Sequence, residues 1–403
     1  MARGSTSNSA AKQRSTLPAA AEGDGSRANF PLIPEADENV EPGPPSPASK
    51  REAVRRRSAH FAGLVLAAMV GCLIRLGLDA MAAYDGQIIF ALAWAQGVGC
   101  GIMGLASSRK DEITGFYPPL YTFITTGLAG SVTSFSAWML DGYQSFSNFG
   151  GYQRSGFHSS VDGFAYSFAT MAIAIGCLYW GEHVSRCLPS ISDIHRHLRR
   201  PARPAASEKL PTATPRGSSS TTSSAGSHSH YSLRPRTQLI LDYLLLLSAV
   251  LCYLIALLVY FLGPSSWRLK ATFPILLSPP GAMLRFYLAD FNSKGPFTGR
   301  FPLGTFVANI GGTLLMGGVY AAEFLPSSQR SGVQCNALWA IQQGFCGCLT
   351  TVSTFVLESQ SIKMKRWTWV YVGSSVVLGH LCILATFGAA RMAGRLGESI
   401  CSA

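Results

Sequence analysis

Nine stretches of this sequence are apolar over about 20 residues, the length an α-helix needs to cross a hydrocarbon core at 1.5 Å per residue. They fall near residues 60–83, 86–106, 117–141, 162–187, 238–263, 270–290, 302–325, 336–360 and 367–392. In lipid every backbone N–H and C=O must be bonded within the fold, so repeated stretches of this length leave a helical bundle as the outcome. The expected class is therefore an all-α polytopic membrane protein with nine spans. Composition agrees, because 48% hydrophobic against 13% charged residues over 403 positions is too apolar for a soluble chain. Pro274, Pro279 and Pro280 interrupt the sixth stretch, whose ends are the least defined.

The net charge of +12 could suggest a nucleic-acid ligand, but the basic residues sit in short groups beside apolar runs, such as Arg55–Arg57 and Lys363, Lys365 and Arg366. They read as cytoplasmic anchors, and no nucleic-acid partner is expected. Residues 1–58, rich in Ser, Ala, Pro and charge, are expected to form a disordered cytoplasmic tail. Residues 188–237 are expected to form a flexible basic cytoplasmic linker, and 238–263 a lone helix between four-helix units at 59–187 and 264–395. The loops on the opposite side hold only Arg154, Arg268, Lys270 and Arg330, so charge bias puts the N-terminus inside and the C-terminus outside. Most of the ten cysteines lie in apolar segments without paired spacing, and they are expected to be small buried hydrophobes, not zinc ligands or disulfides.

Internal repetition is the most informative signal. "GCLIRLGL" (71–78) matches "GAMLRFYL" (281–288), "AQGVGCGIMG" (95–104) matches "ANIGGTLLMG" (308–317), and "GLAGSVTSFSAW" (127–138) matches "GFCGCLTTVSTF" (344–355). The chain therefore reads as a duplicated four-helix unit. A single unmatched span between the copies reverses the direction of the second, giving inverted repeats with a site expected near the midplane where they meet.

The third matched block also carries the chemistry. Glycines and hydroxyls midway along a span weaken the helix and compete for its backbone, which lipid tolerates only where protein or a watery path supplies partners. Asn309 within a span is either an interhelical hydrogen bond or a ligand group. Arg75 and Arg285 either mark an ion path or serve a structural or vestibule role, which the sequence favours. Glu358 can cap a helix, pair with a basic loop or sit at a pore mouth. No metalloprotease or nucleophile-elbow motif appears and few carboxylates lie within the spans, so neither an enzyme nor a proton-coupled pump is expected.

These blocks, above all "GTFVANIGGTLLMG" (304–317) and "GFCGCLTTVSTF" followed by Glu358, resemble the CrcB/Fluc fluoride channels, in the fused form of the eukaryotic FEX exporters. The resemblance implies a passive, selective fluoride channel in the plasma membrane, with the lipid bilayer and fluoride as its partners and a monomer sufficient for function. It implies pore-lining roles for Asn309, Phe135, Phe355, Ser375, Tyr371, Thr351 and Ser353. It also implies a structural Na+ held by backbone carbonyls of Gly130, Thr133, Gly347 and Thr350. Gln96, Trp138, Val352 and Ala172 depart from the family pattern, and their departures imply that one of two ancestral pores has decayed.

The residue types suit an anion. An Asn amide and hydroxyl protons can replace water around a small ion, and a ring edge presents positive charge without the full cation that would trap it. A channel or coupled transporter for another small anion or polar solute on the same scaffold is the main alternative, and a non-conducting scaffold is the third reading.

Overall fold

The computed structural model describes residues 47–190, 233–294, 296–325, 332–397 and 401, and it is helical, with no strand among them. The expected tail up to residue 46 and linker residues 191–232 lie outside the described residues. Helix α1 (Pro47–Ala82) starts well before the expected boundary at 59, so that Arg51, Arg55, Arg56 and Arg57 ride on its first turns. Arg55 and Arg56 both reach Glu52, a spacing that supports helix over this charged stretch. Helices α2 (Leu92–Ser108), α3 (Phe135–Phe146) and α4 (Gly156–Cys187) complete the first unit.

After α5 (Pro235–Leu262), the second unit repeats the order with α6 (Phe273–Ala289), α7 (Leu303–Phe324), α8 (Ser353–Ser361) and α9 (Lys365–Ile383). Among the described residues, six helical stretches are long and apolar enough to cross a membrane by length and composition. At 17 residues each, α2 and α6 fall short of that length, and the approach to α3 is broken.

The two units share fine detail. Each third helix approaches through a π-helical stretch (Phe123–Ala129 and Ala340–Cys346) and a three-residue turn (Gly130–Val132 and Gly347–Leu349), then breaks. At the break Thr133 has φ −88° and ψ 149°, and Thr350 has φ −89° and ψ 153°. Gly71 lies against the carbonyl of Leu128, and Gly281 against that of Phe345, so tightly that a Cβ at either position would collide with backbone. The equivalent helices α1 and α6 run antiparallel: His60 and Phe61 face Phe286 and Tyr287, while Ala68 and Cys72 pack with Ala282 further along.

Helix α5 packs along α1 and leaves Leu247, Val250, Leu254 and Leu258 exposed. Its inward anchor is the buried Asp242, which accepts from Tyr117 Oη at 2.7 Å and Arg55 Nε at 3.1 Å. One expectation is corrected here, because Cys335 and Cys401 form a disulfide that ties the C-terminus to the start of the broken helix in the second unit. Both lie outside the apolar cores, so the burial argument that covers the other cysteines does not reach them.

Candidate functional site

Where the two broken helices meet, six hydroxyl side chains (Thr133, Ser134, Ser136, Thr350, Thr351 and Ser353) are fully buried. A break leaves the next helix with unbonded N–H groups at its start, and here each break contributes a cap to the other's helix beside the local ones that Ser134 and Thr351 make. Thr133 Oγ1 accepts from the N–H groups of Val352 and Ser353, both at 3.2 Å, at the start of α8. Thr350 Oγ1 accepts from Ser136 N at 3.1 Å, at the start of α3. The hydroxyls of Thr133 and Ser353 lie 3.1 Å apart and those of Thr350 and Ser136 3.0 Å, so this contact is reciprocal, as a two-fold relation requires. Thr351 joins the cluster at 3.2 Å from both Thr133 and Ser353.

Asn309 on α7 closes the second break like a clasp. Its Nδ2 donates to Thr351 O at 3.1 Å and its Oδ1 accepts from Thr351 N at 2.8 Å. Gln96 stands at the equivalent place on α2 and donates to Ser134 O at 2.8 Å, while its buried Oε1 has no hydrogen-bond partner. The longer Gln side chain pairs with the carbonyl of Ser134 but not with both backbone groups of one residue.

The aromatic positions form one cluster, not two separate pairs. Phe135 meets Phe355 edge-on with centroids 5.5 Å apart, Trp138 lies 5.4 Å from Phe135 and 6.5 Å from Phe355, and Tyr371 lies 5.1 Å from Phe355. Val352 is buried in the same core. On α9, Tyr371, Ser375 and Gly379 are successive buried positions, and Gly379 lies against Phe135 and Met139. Ser375 therefore falls between the contacts to the two phenylalanines, and its buried hydroxyl has no hydrogen-bond partner, nor has the indole N–H of Trp138.

Glu358, at the far end of α8, takes none of the basic partners the sequence allowed. Its Oε1 accepts from Asn292 Nδ2 at 2.8 Å and Thr305 Oγ1 at 2.7 Å, and its Oε2 from Tyr371 Oη at 2.9 Å. The first unit has a reduced counterpart in Asp141, which accepts from Tyr166 Oη at 2.8 Å. That pair corrects the alignment of α4: with Tyr166 matching Tyr371, the residue matching Ser375 is Thr170, which is fully buried, whereas Ala172 is exposed. The first unit thus keeps a hydroxyl where its loss was expected.

Both arginines are buried, and each crosses to the other unit's break. Arg75 Nη1 donates to Gln343 Oε1 at 2.7 Å, Nη2 to the Gln343 carbonyl, and Nε to Ser131 O at 3.2 Å. Arg285 Nη1 donates to Gly130 O at 2.6 Å and Thr350 O at 3.3 Å, and Nη2 to Thr126 O at 2.6 Å. Two of the four carbonyls expected to cage sodium therefore already accept from a guanidinium, so the donor set as arranged does not present a free cage. Among the described residues no group of His, Cys, Asp and Glu side chains could hold a metal either.

Asn292, Thr305 and Gln343 carry much of this hydrogen bonding and were missed in the sequence, where nothing but their nearness to matched blocks distinguishes them. Asp141 could have been found, since it stands at the spacing from Trp138 that Glu358 keeps from Phe355.

A duplicated helical membrane protein with a buried polar seam where its halves meet is the class these features define. The chain belongs to the CrcB family, described as CrcB-like protein, Camphor Resistance, which it matches twice, over residues 62–182 and 272–388. It is 28% identical to fluoride export protein 1 of Neurospora crassa over 88% of this chain and 71% of that protein. It is 30% identical to fluoride export protein 1 of Schizosaccharomyces pombe over 78% of this chain and 91% of that one. A quarter of the chain is 33% identical to fluoride-specific ion channel FluC 2 of Clostridium acetobutylicum, over 80% of that protein. No solved structure matches the chain.

Proposed function

We propose that this protein is a passive, fluoride-selective channel that exports fluoride across the plasma membrane through one working route, lined by Asn309, Phe135, Phe355, Ser375 and Tyr371, with Thr351 and Ser353 beside it. The observation that carries this reading is the unpartnered hydroxyl of Ser375, fully buried on the helix face that contacts the edge-on pair Phe135 and Phe355. A buried donor without an acceptor costs roughly 1–3 kcal/mol, so its retention beside two ring edges suits a passing anion. The names of the relatives supply fluoride as that anion.

Driving force requires no coupling. A potential of 100 mV, negative inside, favours exit of a monovalent anion by roughly 2.3 kcal/mol. The proposed topology is nine spans in two inverted repeats within a single chain, with α5 as the span that reverses the second. The antiparallel packing of α1 against α6 and the reciprocal threonine contacts support it. The Cys335–Cys401 disulfide supports an extracellular C-terminus, because disulfides persist in oxidising compartments. The second route, beside Gln96, would be the decayed one.

The test is flux from liposomes holding the purified protein, read with fluoride and chloride electrodes. Fluoride efflux without chloride leak is expected, abolished in Asn309→Ala and largely kept in Gln96→Ala. Folded protein that passes no fluoride would overturn the reading in favour of another solute or a scaffold, and equal loss in both variants would overturn the single route.

A further inference from the structure

The two buried arginines are equivalent in sequence but not in what they hold. Gln343 offers Arg75 both its side-chain oxygen and its carbonyl, which together with Ser131 O pin that guanidinium between the π-helical stretch of the second unit and the turn of the first. The residue equivalent to Gln343 in the first unit is Thr126, which offers Arg285 a carbonyl only. Arg285 therefore reaches further, and its Nη1 bridges a carbonyl of each break, Gly130 O and Thr350 O. No acidic side chain lies within ion-pair distance of Arg285 among the described residues, and its Nε has no partner.

From this we infer that Arg285 is the resident cation of the junction, and that its guanidinium does for the two breaks what a bound sodium ion would otherwise do. The argument rests on charge and geometry. Broken helices turn carbonyl oxygens, with their partial negative charge, toward the junction, and a cation offsets them in a buried site. A planar guanidinium supplies one charge and several donors at fixed angles, and it is weakly hydrated, so burying it is less costly than burying an ammonium. With Arg285 bridging two of the four carbonyls and Arg75 close by, a further monovalent cation would meet like charge in a setting of low dielectric. A dimer of identical units could not hold this asymmetry, because the positions of Thr126 and Gln343 would then carry the same residue.

The test is independent of what the channel conducts. The full-length protein in detergent would be melted while sodium is exchanged for N-methyl-D-glucamine at constant ionic strength, with radioactive sodium binding measured alongside. The wild type is expected to keep its melting temperature within about 1 °C, since an ion that does not bind the native state cannot stabilise it. Saturable, sodium-specific stabilisation or sodium binding by the wild type would overturn the assignment. Arg285→Gln removes the charge and is expected to melt lower and to become stabilised by sodium. A variant that folds and stays indifferent to sodium would also overturn it, because the carbonyls would then need no cation. Should that variant fail to fold, the wild-type measurements decide alone, and a failed fluoride assay leaves them untouched.

Discussion

The breaks at Thr133 and Thr350 have backbone angles within a few degrees of each other, yet they are held by different side chains. At the second, Asn309 pairs with both backbone groups of one residue, Thr351; at the first, Gln96 pairs with a single carbonyl and leaves its own oxygen unpartnered. Glu358 gathers three donors where Asp141 has Tyr166 alone among the hydrogen bonds found. The same backbone thus tolerates a fully satisfied and a sparsely satisfied setting. Packing and the reciprocal threonines fix the break, while the surrounding polar groups are free to specialise.

That contrast predicts a ranking of substitutions. The largest effect is expected from Glu358→Gln, whose amide would turn N–H groups toward at least one of three donors, lowering stability by about 3 kcal/mol against about 1 kcal/mol for Asp141→Asn. Thermal unfolding in detergent checks this, and equal losses would erase the difference between the halves. Next come Thr133→Val and Thr350→Val, each expected to cost about 1 kcal/mol as a lost helix cap. Their flux effects should cross over: Thr133→Val, though in the first unit, should slow fluoride more, because it caps α8, which carries Phe355.

Between these and Glu358→Gln falls Gln343→Thr, at about 1.5–2 kcal/mol for one hydrogen bond lost to a buried charged donor. It would make the surroundings of Arg75 resemble those of Arg285. Smallest of all is Ala172→Ser, expected within about 0.5 kcal/mol of wild type as an exposed substitution. Thr170→Val at the buried position should cost more, and a larger effect at 172 than at 170 would restore the original alignment of α4.

Much of the architecture was legible because it rests on patterns with physical periods. Apolar runs of spanning length gave the helical class, and the repeated "GxxxR" and hydroxyl-rich blocks gave the duplication and the position of the breaks. Site residues inside those blocks, such as Asn309 and Phe355, were legible for the same reason. What escaped depends on distance in space. Asn292 and Thr305 come together with Glu358 only through hydrogen bonds between segments that are distant in the chain, and no spacing in the sequence encodes that. Ala172 was misplaced because an α-helix with few fixed points can slide by two residues in an alignment, and it took the Tyr166–Asp141 contact to pin it. The Cys335–Cys401 pairing was missed because a lone cysteine at each end of a long separation carries no motif.

The crossed threonine caps also bear on how such a chain can change over generations. Each broken helix takes one cap from its own unit and another from its neighbour, so a substitution in one copy is felt in the other. Selection on the proposed route would then guard Thr133 in the first copy, although the polar setting around that copy's break is the sparser one. Duplicated genes ordinarily drift apart once one copy is released from its task; here each copy is kept under tension by its sibling, and recombinants that exchange single units between distant relatives should fail more often than those that exchange both.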